Sequence, residues 1–499
     1  MTQASSRRNF LLTAGGAVAG LVVGGVAGWS IKPSETTGVT DTKTVTQTVT
    51  QQVERTVTRT ETVTQTQPTV ATVTLSAWTQ GPERESVYRQ ENLVLAARKL
   101  SSMNSILGAD VKVEVTGEFS TAPWGDYRRK LQLAFESKQA PDIVLSAHID
   151  IAVYSDNGWI ISLDDMIKEY WDWVYNDVIE SLWPAVSYKG KIWGIPQDTE
   201  ARPVYFRKDH LIKLGWSEDE IASLPKRVEQ GRFTFEDMLN TAAEAVKKNI
   251  VQPGYGIWHR PNAGPDWPIP YLAYGGSLYD EKENKLVAEM KVWEKVFDWF
   301  ERASMKNMGV ISDKLIGLDF NRDVHPTVVA GKTTFWFGGT WHKGQWVSSF
   351  GLAEDDFWRY FGFMLYPAGE KGLKPVTLSQ PMCYMISSNS KYVRQAFLVI
   401  TMATDPYLNS LHANKSAHLA ILNSQLNHSE YKKDRFNAEA GYLVAYSKYQ
   451  PMHPGWGTYN KVLFDVIRGI EAGQFNAQRA ANVLEEELKK QLGDAIIIR

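Results

Sequence analysis

From Val70 onward the chain alternates between two hydrophobic periods. VATVTLSAW (70–78) and VKVEVTGEF (111–119) place β-branched residues at alternate positions, which predicts strands. SVYRQENLVLAARKLSSMNSIL (86–107) and DYRRKLQLAFESKQ (126–139) repeat apolar residues at helical spacing with polar residues between them. PDIVLSA (141–147) is a short apolar run of the kind buried on both faces of a parallel sheet. Strand, helix, strand, helix, strand predicts an open, doubly wound α/β sheet, in which ligands sit beyond the carboxyl ends of the strands. Those ends carry Trp78, Thr79, Gln80 and Gly81 after the first strand, and Ala147, His148, Ile149 and Asp150 after the third.

The pattern before Val70 is different. SRRNFLL, with Arg7 and Arg8, leads into LLTAGGAVAGLVVGGVAG, an uncharged run long enough to cross most of a bilayer. This resembles a twin-arginine export signal, and with no convincing cleavage site or cysteine where the run ends at Trp29, an uncleaved membrane anchor is expected. A soluble core helix does not suit the run, because each of its glycines would destabilise such a helix. The stretch that follows, down to TETVTQTQPTV, is almost entirely Thr, Val, Gln and scattered charges. It lacks the large apolar residues a core needs and reads as a disordered tether or O-glycosylated stalk, although its Thr/Val alternation also suits an edge strand or an oligomerising stem.

Composition narrows the chemistry. The formal net charge of -2 gives no basic field for phosphates, so nucleic acid is excluded as an expected partner. Cys383 is the only cysteine, which rules out an internal disulfide and a thiolate metal cluster. The histidines include no HExxH pair. With 18 Trp and 21 Tyr, the chain holds more rings than an ordinary core requires, so some are expected to face a ligand. FWFGGTWHKGQW (335–346) is the densest such stretch: Trp336 reads as a buried strand residue and Trp341, beyond a glycine pair, as a ring on a turn.

The order of APDIVLSAHIDIAVYSDNGWIISLDD, WPAVSYKGKIWGIPQDTEARPVYFRKDHLIKLG, FTFEDMLNTAAEAVK, VVAGKTTFWFGGTWHKGQW and FGFMLYPAG resembles the extracellular solute-binding proteins of sugar-importing ABC transporters, the maltose-binding class. The last helices, YNKVLFDVIRGIEAGQFNAQRAANVLEEELKKQL, repeat that family's ending. The resemblance implies a two-lobed periplasmic-binding-protein-like fold with a hinged cleft, crossed by the chain near Glu200 to Pro203 and near Met364 to Pro367. The implied organisation is an anchor over 1–31, a tether over 32–72 and a binding domain over 73–499, with lobe 1 about 73–201 and 365–440 and lobe 2 about 202–364 and 441–490. Its implied partners are a mono- or oligosaccharide and the permease subunits of an importer. No cofactor and no metal are expected.

A sugar presents C–H faces that lie well on an indole and a belt of hydroxyls that takes donors and acceptors. Carried over from the family, Asp150 falls on a polar contact, Glu200 on the carboxylate after the GIP strand, and Trp341 on the stacking ring. Trp456 in MHPGWGTY resembles a further stacking ring, and Trp258 and Trp267 in WHRPNAGPDWPIP match the second-lobe wall. Trp78, Gln80 and His148 complete the expected set, although AHID and GPERES depart from the class pattern. Plainer roles stand beside these: Glu200 pairing with Arg202 or Arg207, and Asp150 capping the next helix. An enzyme is the competing class, a glycoside hydrolase using Asp198 and Glu200, or Asp150 and Glu200, as paired carboxylates. A redox protein is suggested only by the export signal, since no GxGxxG follows a strand.

Overall fold

The computed structural model describes residues 71–499 apart from residues 82, 83 and 110, so the expected anchor and nearly all of the tether lie outside the described residues. Among the described residues no helix is long and apolar enough to cross a membrane. The elements that position the site are, in chain order, β1 (Ala71–Gln80), α1 (Tyr88–Ile106), β2 (Val111–Ser120), α2 (Trp124–Glu136), β3 (Ile143–Ala147), β4 (Ile195–Asp198), β5 (Val204–Arg207), β6 (Ile257–Trp258), β7 (Phe335–Phe337), α3 (Trp341–Ser349), β8 (Phe361–Met364), β9 (Thr377–Ser379), β10 (Met382–Ile386), α4 (Pro406–Ser416), β11 (Ser447–Tyr449), α5 (Trp456–Glu471) and α6 (Ala477–Leu492).

Two main sheets divide them. The first has the order β2-β1-β3-β10-β4, with β1, β2 and β3 parallel as the pattern predicts. The alternating expectation does not foresee β10, which returns late in the chain and lies antiparallel to both β3 and β4. The apolar run of β3 divides by pleat: Ile143, Leu145 and Ala147 join the cluster that holds Leu93, Ala96 and Leu100 of α1, while Val144 packs with Tyr127, Leu131 and Phe135 of α2. Both faces of this strand are therefore covered by helix, and its sequence has no polar face to show.

The second sheet has the order β8-β5-β7-β6. Its core is built on aromatic rings, with Trp293, Trp299, Trp336 and Trp346 all under 2% exposed. α5 and α6 close it, contributing Tyr459, Leu463, Val466, Leu484 and Leu488. The helical spacing of these apolar residues is what made both helices readable in the sequence.

The chain passes between the sheets first over residues 199–203, from β4 to β5, and again from β8 towards β9 and β10. These passages are laced together. Leu419 N–H donates to the Thr199 carbonyl at 2.7 Å, Thr199 Oγ1 meets Ser379 Oγ at 2.6 Å, and Arg202 N–H donates to Thr377 Oγ1 at 2.8 Å. β9 then pairs with β11 in parallel.

Trp336 is held in the middle of β7, 1% exposed, with its indole N–H donating to His342 Nδ1 at 3.2 Å. Trp336→Ala is expected to cost about 3–5 kcal/mol of unfolding free energy, measured by urea denaturation. A loss below about 1 kcal/mol would show that the second core does not depend on this ring.

Candidate functional site

Residues 194–207 run from the first sheet to the second without one exposed position, although they include Asp198, Glu200, Arg202 and Arg207. Unpaired charge buried this way costs several kcal/mol, so each of these groups must find a partner. Glu200 accepts from Arg202 Nη1 at 2.5 Å, and Arg202 Nε donates in turn to Asp266. Asp266 also accepts from Arg260 Nη1 at 2.9 Å. Burial pushes the Glu200 carboxyl up to about 7, against the pull of Arg202.

Trp341 joins this group. The Arg202 guanidinium carbon lies over the indole, 5.2 Å from the ring centroid. The stretch before Trp341 is stitched to the first passage: Gly338 N–H donates to the Pro203 carbonyl at 3.1 Å and Thr340 N–H to the Ala201 carbonyl at 2.9 Å. Gly339 N–H donates to His342 Nδ1 at 3.0 Å, so that nitrogen is an acceptor, and burial keeps the imidazole neutral. The expected role of the glycine pair changes accordingly. Neither Gly338 nor Gly339 has the positive φ of a tight turn. Gly339 instead makes room for Trp341 itself, since a Cβ there would come within 2.2 Å of two atoms of the indole.

At the carboxyl ends of the first sheet, Gln80 and His148 are wholly buried. Gln80 Nε2 donates to the Ala122 carbonyl at 2.8 Å, while its Oε1 has no partner among the described residues; the His148 ring makes no close hydrogen bond, though the Gln450 backbone lies near enough to favour its charged form. Burial pushes His148 down to about 3, leaving a neutral imidazole with one donor and one acceptor. Gln197 Nε2 is a further unpaired donor, and Arg89 ties that side chain to the Gln80 carbonyl. Asp150 accepts from Arg128 Nε at 2.8 Å and Ser146 Oγ at 2.5 Å; it stands at the start of the next helix without making a capping bond. Trp78 is half-buried, with Lys130 Nζ 4.3 Å from its ring centroid.

The other expected rings are placed in the second core. Trp267 (3% exposed) donates to the Asn262 carbonyl and packs on His259 and Phe464. Trp456 (5% exposed) stacks on Tyr459 at the start of α5. Trp258 is buried on β6 and donates to the Gly254 carbonyl. Its edge, with Tyr255, Arg322 and Lys332, lines a separate cavity of about 330 Å³. None of the three offers an open ring face beside Trp341, because the sheet and helices of the second unit enclose them. Trp341, Glu200, Arg202, Asp266 and Arg260 are brought together; sequence reasoning saw Arg202 only as a partner for Glu200. Asp266 and Arg260 lie in the WHRPNAGPDWPIP stretch, where only the tryptophans match the family's ligand contacts.

Asp198 is occupied elsewhere. Its Oδ2 accepts from Arg89 Nη2 at 2.6 Å and Nε at 3.0 Å, and lies 2.8 Å from His412 Nε2; Met382 N–H reaches Oδ1 at 3.3 Å. Burial opposes its charge, but Arg89, His418 and His412 hold the carboxyl well below the usual range. Asp198, His412 and His418 have the spacing of a metal site, with ligand atoms within 4.8 Å of one another. Arg89 already supplies the positive charge that a cation would bring. Nor does Asp198 suit a glycoside hydrolase: at 2% exposed, with its oxygens committed, it cannot reach a substrate.

The sequence profile of the family described as bacterial extracellular solute-binding protein matches residues 101–406. An uncharacterized lipoprotein from the oleD 5' region of Streptomyces antibioticus is 22% identical over 186 residues, a match spanning 35% of this chain and only 40% of that relative. The fold is similar to that of the sugar-binding protein MalE from Xanthomonas citri, at TM-score 0.68 and 15% identity, covering 84% of this chain and 97% of that one. It is likewise similar to the GacH receptor of Streptomyces glaucescens, solved unliganded and with acarbose, at TM-score 0.63 and 15% identity over 84% of this chain and 98% of that one. Maltose-bound MalE3 of T. maritima matches at TM-score 0.64 and 14% identity, over 84% of this chain and all of that one. At these identities the solved structures establish the two-lobed fold.

Glu200 carries a pH prediction. Its pKa in the fold, about 7, exceeds the ordinary 4.5, so the folded state holds the proton more tightly; that stability is complete below pH 4.5 and is lost as pH rises through 7. Unfolding free energies measured by urea at several pH values should therefore fall for the native protein relative to Glu200→Gln across this window, by on the order of 3 kcal/mol. Parallel curves would mean that Glu200 is already ionised at pH 5.

Proposed function

The chain belongs to the bacterial extracellular solute-binding proteins, and on that premise we propose that it captures a neutral sugar beside Trp341 and delivers it to the permease of an ABC importer. The observation that carries this reading is the combination of an indole with charges that cancel. Arg89, Arg128, Arg202 and Arg260 are each paired with a carboxylate, from Asp198, Asp150, Glu200 and Asp266. Among the described residues this group leaves those four arginines no spare charge for an anionic solute and those four carboxylates none for a cationic one. What it does offer is the partly exposed Trp341 ring; the unpaired amide and imidazole atoms of Gln80, His148 and Gln197 are enclosed and would meet a sugar only after the lobes open. Buried polar atoms left unpaired cost roughly 1–3 kcal/mol each, a cost that hydroxyls of a bound sugar would relieve. The maltose bound to one structural neighbour is a solute of this kind. Closure of the two lobes about the passages would enclose the sugar and present a changed surface to the permease.

Binding is tested by calorimetric titration of the full chain with a carbohydrate panel. A sugar that binds should be recovered intact, and Trp341→Ala should weaken its binding by about 1–3 kcal/mol with little loss of stability. If Trp341→Ala unfolds the protein while its folded fraction binds unchanged, the ring is core and the reading fails. Shortened products whose release stops in Glu200→Gln would favour a hydrolase instead.

The family works outside the cytoplasm. We assign the route to Arg7 and Arg8, and attachment to the apolar run from Leu11 to Gly28. The lipoprotein relative supports attachment to a membrane, but lipidation is not open to this chain, whose sole cysteine, Cys383, is buried in β10. After cell fractionation the native protein should sediment with the membrane. A soluble protein whose first residue lies beyond Gly28 would overturn this assignment.

A further inference from the structure

Arg202 has a second consequence for the site. Trp341 opens α3, a position where an indole lacks a turn of helix before it to pack on, and the ring remains partly exposed. Left to itself, such a ring would sample several rotamers, and ordering it on binding would weaken affinity. The surroundings prevent this. Gly339 lies against the benzenoid atoms, closer than any residue with a Cβ would allow. Arg202 lies over the ring at 5.2 Å and is itself only 3% exposed. Its guanidinium has no freedom to follow the indole, because Glu200 holds Nη1, Asp266 holds Nε, and the Leu378 carbonyl accepts from Nη1 at 3.3 Å. A lysine could supply the charge but not the planar fork that makes these bonds at once.

We propose that Arg202 is a positioning residue, which together with the Gly339 backbone fixes the Trp341 ring in its binding orientation before solute arrives. Asp266, and behind it Arg260, belong to the same device, because they fix the plane of the guanidinium. The proposal rests on the reading that a sugar stacks on Trp341, and it adds that the ring is ordered in advance.

The test labels the full chain with 5-fluorotryptophan, and the fluorine resonance lost in Trp341→Phe identifies residue 341. In Arg202→Lys that resonance should move and sharpen as the ring is freed, while those of the core tryptophans stay in place. Asp266→Asn should move it in the same direction, and serves if Arg202→Lys does not fold. For a sugar that binds the native chain, either variant should lower affinity about three- to tenfold, and this loss should vanish in the Trp341→Phe background. An unmoved resonance in a folded variant, or the same affinity loss with and without Trp341, overturns the proposal. If no sugar binds the native chain but the resonance moves, the solute reading fails and the clamp stands.

Discussion

Burial of charge along residues 194–207 is the constraint on which the rest of the structure depends. This strip joins the two sheets and is enclosed throughout, so Asp198, Glu200, Arg202 and Arg207 are tolerable only with partners in place. Asp198 draws in Arg89 from α1 and His412 from α4. Arg202 draws in Asp266 from the second unit. Arg207 takes Asp209 two residues on. Removing one partner would strand a charge in the core, so the fold's halves and their junction are specified together.

The same pairing builds the proposed site. Backbone bonds from Gly338 and Thr340 to Pro203 and Ala201 carry the aromatic stretch onto the strip, which sets Trp341 over Arg202. The charged groups of the strip thereby pair with one another next to a ring, and the chemistry left for a solute at the proposed site is aromatic and hydrogen-bonding.

The strands and helices of the first sheet were legible because each follows one hydrophobic period; β10 was not, since its partner β3 lies more than two hundred residues earlier. The two-lobed fold was legible through the serial order of PDI, GKIWGIP and AGKTTFWFGG. Which rings are open was not. Trp258, Trp267 and Trp456 stand beside glycines and prolines as Trp341 does, and only packing separates them: β6 pairs with β7, and α5 covers the second core. Glu200 and Arg202 could be paired from sequence, two residues apart, whereas Asp266 required the fold. Asp198 reads in the sequence as a carboxylate two residues from Glu200, and its pairing with Arg89 and His412, both remote in the chain, required the fold.

The most direct test of the account is a crystal structure of the protein grown with maltose or a maltodextrin. A pyranose ring should lie against the Trp341 indole, beside the Glu200, Arg202 and Asp266 group. A sugar bound elsewhere, such as the cavity beside Tyr255 and Lys332, with the Trp341 ring uncontacted, would contradict it.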